Sequence, residues 1–279
     1  MKTVVLKKKT EREEKAKNLR GKLIKLIGDT NCGHLGGSLS IVEILVSLYY
    51  KYMKFDPQRP DNPESDTLIL SKGHASSILY LILADMGFFK KEELYNYGHP
   101  YSILQSHPNL NTPGVKFPSG SLGQGLSGAL GLALAHKRLN RDAIIYTILG
   151  DGELNEGQIW EAVMAIAHYQ LDNIIALVDA NGIQLDGRVD NIMKMPALDQ
   201  LFAHYGWYSQ TIDGHNFTEI DEALGNSLFK KERPSVIICK TIKGKGISFM
   251  EDSIDFHGGF DNNDHYNCAL DEVGNYSLE

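Results

Sequence analysis

The arrangement of apolar segments along the chain most strongly limits the fold that this sequence can adopt. Residues 143–149 (AIIYTIL) and 173–179 (NIIALVD) are apolar almost throughout, and a helix is predicted between them at 157–170. Further buried strands are predicted at three places: 66–71, 208–212 and 236–240. Near-continuous apolar strands that alternate with helices are typical of a parallel sheet. The sequence therefore predicts an α/β fold, with a parallel sheet covered by helices on both faces.

The other segments are predicted to form helices and one long loop. Apolar residues at helical spacing indicate helices at 10–27, 41–53 and 126–139, and another that follows Lys72-Gly73-His74 and ends near residue 86. Residues 95–120 are rich in Gly, Pro, His and Asn and predict a long ordered loop, a kind of segment that is often functional. No linker divides the 279 residues, so we expect one domain over 1–279.

The composition excludes several classes of protein. The chain has 28 Lys and Arg against 35 Asp and Glu, and its net charge of −7 argues against a nucleic-acid-binding face. No apolar run reaches the ~18 residues of a membrane span, and no signal segment precedes the charged start. We therefore expect a cytoplasmic protein that binds no membrane. Three widely separated cysteines argue against a disulfide framework or a zinc site: Cys32, Cys239 and Cys268.

Polar residues follow two of the predicted strands. Asp151, between two glycines, comes directly after the strand at 143–149, and Asn181 follows the strand at 173–179. Ligands of open parallel sheets bind at the carboxyl ends of strands, and neighbouring strands lie roughly 4.8 Å apart. If these strands are neighbours, both side chains can reach one cation. Carboxylate and amide oxygens suit Mg²⁺ or Ca²⁺ rather than zinc, and the adjoining glycines and helix start suit a diphosphate.

These residues carry a resemblance to a known family. GDGELNEGQIWEA followed by DANGIQLDG resembles the thiamine diphosphate motif of transketolases, with 28 residues between GDG and the Asn. Further stretches match the family in order: GHLGGSLS (33–40), SKGHAS (71–76), SHP (106–108), SGSLGQGLS (119–127), DGH (213–215), KTIKGKG (240–246) and DFHGG (255–259). The resemblance runs from about residue 15 to 270. It covers only the first domain of long transketolases, so the sequence resembles the N-terminal subunit of a split transketolase. The resemblance therefore implies that the pyrimidine-binding and C-terminal domains are not part of this chain.

The resemblance implies a set of residues that bind the cofactor through a metal. Thiamine diphosphate is expected with Mg²⁺, for which Ca²⁺ or Mn²⁺ can substitute. The implied metal ligands are Asp151, Asn181 and the backbone carbonyl of Ile183. The backbone amides of Gly152 and Glu153 are expected to meet the diphosphate. Two further side chains are expected on that side of the cofactor: His74 and Lys243.

Other residues are implied to contact the substrate and the aminopyrimidine ring. His34 and His107 match histidines that bind the hydroxyl groups of the ketose. His257 matches a histidine that faces both the cofactor and the substrate. The backbones of Gly120 and Leu122 resemble contacts to the aminopyrimidine. The resemblance therefore assigns His34, His107 and His257 to catalysis.

A partner follows from what the chain lacks. Glu156 and Glu161 match carboxylates that the family uses across its dimer interface, near the cofactor. The glutamate that protonates the aminopyrimidine, and the groups that bind the substrate's distal phosphate, belong to the missing domain. The resemblance therefore implies an α2β2 assembly with a C-terminal partner subunit. The implied reaction moves a two-carbon ketol unit from a ketose phosphate to an aldose.

Two alternatives remain open at the level of sequence. A deoxyxylulose-phosphate-synthase-like enzyme, which joins pyruvate to an aldehyde, also uses a GH-x-x-x-SL loop. A non-catalytic paralogue would keep the fold, although the intact Asp151, Asn181 and site histidines argue against it. His215, in the DGH motif, is expected to stabilise a local turn. Four histidines outside the motifs are expected to be structural or at the surface: His99, His136, His168 and His204.

Overall fold

The computed structural model describes residues 5–185, 187–274 and 276–278. These residues contain seven strands: β1 Thr67–Leu70, β2 Ile145–Gly150, β3 Ile174–Ala180, β4 Ile183–Gln184, β5 Gly187–Arg188, β6 Tyr208–Asp213 and β7 Ser235–Lys240. Five of them form one parallel sheet in the order β1-β2-β3-β7-β6. The short strands β4 and β5 pair in an antiparallel hairpin. The predicted α/β fold with a parallel sheet is confirmed.

Helices occupy most of the sequence between the strands. The described residues contain ten α-helices: α1 Lys9–Thr30, α2 Leu35–Leu39, α3 Val42–Ser47, α4 Ser76–Met86, α5 Gln124–Arg138, α6 Gly157–His168, α7 Val189–Ile192, α8 Leu198–His204, α9 Phe217–Phe229 and α10 Asn263–Val273. A π-helical turn at Leu48–Tyr52 continues α3. The predicted helix at 41–53 is therefore present, but its last turn is wider than an α-helix.

The sheet has an apolar core on each face because successive side chains of a strand point to opposite sides. In β2, Tyr146 and Ile148 belong to the core that includes buried residues of α1, α3, α4, α9 and α10. Ile145 and Leu149 of the same strand belong to the core that includes buried residues of α5, α6 and α8. Burial on both faces explains why the sheet strands are apolar without alternation.

Two C-terminal helices were not predicted from the sequence. Helix α9 begins after Asn216, whose side chain accepts a hydrogen bond from the backbone N–H of Thr218. Phe217, Ile220 and Leu224 give α9 a buried stripe at helical spacing. The N-cap and the stripe are therefore the sequence signal for α9. Helix α10 is capped in the same way by Asn262.

The parallel arrangement places the carboxyl ends of β1, β2, β3 and β7 along one edge of the sheet. The loops that follow these strands carry most of the sequence motifs. Across the described residues, none of the helices has both the length and the apolar character needed to span a membrane.

Candidate active site

The ends of β2 and β3 bring the two proposed metal ligands together. These strands are neighbours, and Gly150 pairs with Asp179 in their register. One carboxylate oxygen of Asp151 accepts a hydrogen bond from the backbone N–H of Gly152 at 2.8 Å. The other accepts from the backbone N–H of Gly182, next to Asn181, at 2.6 Å. The expected adjacency of Asp151 and Asn181 therefore holds.

The donor set at this edge fits a hard cation. In the described part of the chain, no three His, Cys, Asp or Glu side chains are grouped so that they could hold a metal. A cation here would therefore use amide and carbonyl oxygens besides Asp151, and oxygen ligands are those that Mg²⁺ and Ca²⁺ prefer. Burial, together with the negative charge of Asp179, raises the pKa of Asp151 to about 6. A bound cation would favour the ionised carboxylate.

A cleft of about 400 Å³ opens beside this edge. Eleven of the sequence-predicted site residues line it: His34, His74, Leu122, Asp151, Gly152, Glu153, Glu156, Asn181, Ile183, Lys243 and His257. A larger groove of about 1030 Å³ shares Asp151 and Asn181 but is lined by no histidine. The residue types suited to chemistry are therefore concentrated in the smaller cleft.

Four histidines meet at the cleft, although they come from distant parts of the sequence. The ring centroids of His74 and His107 are 4.7 Å apart, and those of His34 and His74 are 4.8 Å apart. The rings of His34 and His257 are 5.5 Å apart. His107 is thus part of the cluster, although it is not among the residues that line the cleft. A Cβ on Gly120 would lie 3.2 Å from the His107 ring, so the Gly120 loop packs against it.

Backbone hydrogen bonds between three loops explain why His34, Lys243 and His257 converge. The N–H groups of Leu35 and Gly36 donate to the carbonyls of Gly258 and Phe256, at 2.9 and 3.0 Å. The N–H of Gly244 donates to the carbonyl of Gly36 at 3.1 Å. Each loop therefore holds the next at a fixed distance, with its functional side chain directed to the same cleft.

Burial keeps the histidines of the cluster neutral. It lowers the pKa values of His74 and His257 to about 4, and neighbouring His34 and Lys243 respectively add to the effect. Burial also lowers the pKa of Lys243, to about 8, and its Nζ lies 3.0 Å from Nδ1 of His257. At neutral pH the histidines are therefore neutral hydrogen-bonding groups, and the cleft keeps a positive charge on Lys243.

The two glutamates implied at the interface lie in different places. Both are exposed, Glu156 at the rim of the cleft and Glu161 on α6 outside it. Glu161 does not reach the cleft of its own chain because α6 runs away from the strand ends. Its contact with the cofactor region of another chain stays a prediction.

Several residues contribute to the site in ways that the motifs did not indicate. The side chain of Glu153, expected to act only through its backbone amide, is buried and accepts hydrogen bonds from Ser71 Oγ and two backbone N–H groups. His215 forms the expected local turn through its backbone. Its ring also bridges distant segments, because Nδ1 lies 3.0 Å from Glu43 and Nε2 accepts from the N–H of Ile242.

The buried pair of Lys72 and Asp179 was also missed. Lys72 lies in the SKGH motif and lines the cleft, whereas Asp179 is the last residue of the predicted strand at 173–179. Their two side chains form an ion pair. A charged residue at the last position of a buried strand was the available signal. Charged side chains are almost never fully buried unless they are paired.

Comparison with known proteins agrees with this architecture. The family described as "Transketolase, thiamine diphosphate binding domain" matches residues 11–274. The solved transketolase of Campylobacter jejuni superposes with a TM-score of 0.90 at 32% identity, covering 96% of this chain and 44% of that one. The chain belongs to the transketolase family and comprises its thiamine diphosphate-binding domain.

The match covers only part of a full-length transketolase. Human transketolase is 36% identical over 88% of this chain, but only 39% of the human protein is covered. The 6-deoxy-6-sulfo-D-fructose transketolase subunit SqwG of Clostridium sp. (strain MSTE9) is 44% identical over 88% of this chain and 90% of its own length. An apulose-4-phosphate transketolase subunit of Actinobacillus succinogenes is 39% identical, with 94% of this chain and 96% of that one covered. This chain is the N-terminal, cofactor-binding subunit of a split transketolase.

Proposed function

We propose that this chain works with a C-terminal subunit to transfer a two-carbon ketol unit from a ketose phosphate to an aldose. The observation that carries the proposal is the cleft, in which residues from widely separated loops meet at the carboxyl edge of the sheet. The histidine cluster beside the oxygen ligands provides groups for both a sugar and a metal-bound diphosphate. The comparisons support the same family of reactions.

Each part of the cleft has a distinct task in this proposal. Asp151, Asn181 and the Ile183 carbonyl hold Mg²⁺, which binds the diphosphate, and the backbone amides of Gly152 and Glu153 meet the diphosphate oxygens. Thiamine diphosphate supplies the nucleophilic carbon and the electron sink for cleaving the bond between carbons of the ketose. The protein supplies orientation, hydrogen bonds and charge.

The histidines bind and orient the sugar. Because His34, His107 and His257 are held neutral, each ring can accept one hydrogen bond and donate another to a hydroxyl group. His74 and Lys243 face the diphosphate, where the ammonium group of Lys243 stabilises negative charge. The backbones of Gly120 and Leu122 support the aminopyrimidine ring.

We propose that a partner completes the site, because large apolar side chains are exposed at the cleft. Leu185 and Met193 line the cleft although their side chains are 62% and 59% exposed, which favours a covering chain. We propose that the C-terminal subunit covers this rim and supplies the glutamate that protonates the aminopyrimidine. The resulting assembly is α2β2, with Glu156 and Glu161 near the contact between chains.

The substrate class is a ketose whose far end carries an anionic group. The names of the relatives include a sulfonated ketose and a ketose phosphate. We propose a sugar phosphate for this enzyme, with its distal anion bound by the partner subunit. We further propose that the chain is one domain, since both cores lie on one sheet, and that it acts in the cytoplasm, which suits its unpaired cysteines.

The test is reconstitution of the two subunits. The chain and the proposed C-terminal partner subunit are purified separately and mixed with thiamine diphosphate and Mg²⁺. Ketol transfer is then followed with a panel of ketose phosphate donors and aldose acceptors. We expect transfer only from the mixture, and loss of transfer and of Mg²⁺-dependent cofactor binding in Asp151→Ala.

Three outcomes would contradict the proposal. Transfer by the isolated chain would refute the need for a partner. Consumption of pyruvate and an aldehyde, without ketol transfer, would favour the synthase alternative. Unchanged calorimetric affinity of Asp151→Ala for the cofactor with Mg²⁺ would refute the metal assignment.

A further inference from the structure

Asp179 is the most completely enclosed charged group near the cleft, and the proposed reaction gives it no task. Its side chain is fully buried at the end of β3. Four side chains donate hydrogen bonds to its carboxylate: Ser40 Oγ at 2.7 Å, Asn181 Nδ2 at 2.8 Å, Lys72 Nζ and Thr241 Oγ1. A carboxylate with four donors has no freedom to rotate.

The four donors belong to four different segments of the site. Ser40 ends the loop of His34, Lys72 precedes His74, and Thr241 precedes Lys243. Lys72 Nζ also donates to the carbonyl of Gly37 at 2.9 Å. The carboxylate of Asp179 therefore joins the segments whose neighbouring side chains face the cleft.

One of these donors belongs to a proposed metal ligand. The amide of Asn181 has an oxygen at one end and an NH₂ group at the other, and only the oxygen can bind a cation. Because Nδ2 of Asn181 donates to Asp179, Oδ1 lies at the opposite end, where it accepts from the N–H of Ile183 at 3.1 Å. In a flipped amide, the oxygen of Asn181 would face the carboxylate of Asp179. This is unfavourable because both groups are hydrogen-bond acceptors and no proton lies between them.

Asp179 also contacts the other proposed metal ligand, Asp151, through its backbone. The N–H of Asp151 donates to the carbonyl of Asp179 at 3.2 Å. Asp179 is thus bonded to Asp151 through its main chain and to Asn181 through its side chain. Lys72 compensates the buried negative charge, without which such a carboxylate would be strongly destabilising.

We propose that Asp179 is a positioning residue that fixes the amide of Asn181 with its oxygen toward the metal, with Lys72 as the counter-charge. This inference rests on the proposed function, since it concerns the metal of the same cofactor site. Residues that orient metal ligands typically change metal affinity about 10- to 100-fold when they are replaced.

The experiment measures Mn²⁺ binding rather than activity. The full chain, in complex with the C-terminal subunit, is titrated with Mn²⁺ and thiamine diphosphate, and free Mn²⁺ is followed by electron paramagnetic resonance. In the double variant Lys72→Met/Asp179→Leu, an apolar pair replaces the ion pair, a kind of change that proteins often tolerate. We expect its Kd for Mn²⁺ to rise about 10- to 100-fold.

A matched variant separates orientation from general damage. Lys72→Met/Asp179→Asn restores an oxygen acceptor for Nδ2 of Asn181, so we expect its Kd to recover to within about threefold of the wild type. Lys72→Met/Asp179→Ser has a side chain too short to accept from Asn181 and should share the loss. The serine variant keeps the test available if the leucine variant does not fold, as judged by circular dichroism.

The outcomes distinguish this inference from the proposed function. Wild-type protein that binds no Mn²⁺ in the presence of thiamine diphosphate would overturn the metal site and the inference together. Wild-type binding with an equal Kd in the folded leucine or serine variant would overturn the inference alone. Failure of the asparagine variant to recover would also overturn it, because the effect would then not depend on an acceptor.

Discussion

Replacement of Glu153 by Ala is expected to destabilise the chain strongly, because this buried carboxylate joins three segments around the cleft. It accepts hydrogen bonds from Ser71 Oγ, from the N–H of Gly123 at 2.8 Å and from the N–H of Gly150 at 3.0 Å. Ser71 follows β1, Gly150 ends β2, and Gly123 is the N-cap residue of α5. Alanine would leave all three donors without this acceptor.

The magnitude follows from the groups left unpaired. Each buried donor without a partner costs about 1–3 kcal/mol, so the two backbone N–H groups alone represent about 2–6 kcal/mol. Burial raises the pKa of Glu153, because removing this charge from water costs free energy in the wild type. Replacement by Ala removes that cost and offsets part of the loss. We therefore expect a net loss of about 3 kcal/mol in the free energy of unfolding, and a melting temperature roughly 6–12 °C lower.

Urea unfolding followed by circular dichroism measures this loss. Glu14→Gln, which neutralises an exposed glutamate on α1, is the control and should stay within about 0.5 kcal/mol of the wild type. Glu153→Gln keeps one acceptor oxygen and should lie between the wild type and Glu153→Ala. A Glu153→Ala protein as stable as the control would refute the view that this carboxylate holds the three segments together.

Two further predictions concern pH and packing. Burial keeps His74 and His257 neutral in the folded chain, so the unfolded chain takes up more protons as pH falls from about 6.5 to about 4 and stability is lost in that window. Between pH 7.5 and 5, urea unfolding of the wild type should show a loss of about 1–2 kcal/mol in the free energy of unfolding for each of these two histidines. This loss should be absent in His74→Gln/His257→Gln and retained in His99→Gln. Equal losses in all three proteins would contradict the assignment. In α5, a Cβ on Gly125 would lie 2.4 Å from Ser71 Oγ, whereas one on Gly131 would meet nothing within 4 Å. Thermal unfolding should show Gly125→Ala destabilised by about 2 kcal/mol and Gly131→Ala unchanged or slightly more stable, and similar melting temperatures would contradict the packing at Ser71.

The strands could be predicted closely because their burial on both faces leaves a continuous apolar signal. The predicted strand at 173–179 is observed as Ile174–Ala180, and the one at 143–149 as Ile145–Gly150. Once two such strands are neighbours, their polar ends must meet, and this is why Asp151 and Asn181 could be placed together. The histidines were found through motifs, since their convergence depends on hydrogen bonds between loops.

The partners in long-range polar pairs could not be predicted, because nothing in the local sequence identifies which two residues will pair. Lys72 and Asp179 are 107 residues apart, and His215 and Glu43 are 172 apart. The position of Asp179 in a buried strand indicates that it needs a partner, but it does not indicate that the partner is Lys72. Their pairing is decided by which loops the sheet order brings together, and this information lies in the tertiary structure.

The two carboxylates near the ends of β2 and β3, Asp151 and Asp179, have different surroundings. Asp179 is enclosed and paired with Lys72. Asp151 lines the cleft, and within the described part of the chain it forms no ion pair. Two nearby buried carboxylates repel each other, so a fold selected for stability alone would provide a cation for both. Lys243 also lines the cleft and acts on Asp151 only through space, because burial lowers the pKa of this lysine to about 8 and its Nζ lies beside His257. A cation bound directly at Asp151 would therefore further reduce its repulsion from Asp179, in line with the metal proposed for this cleft.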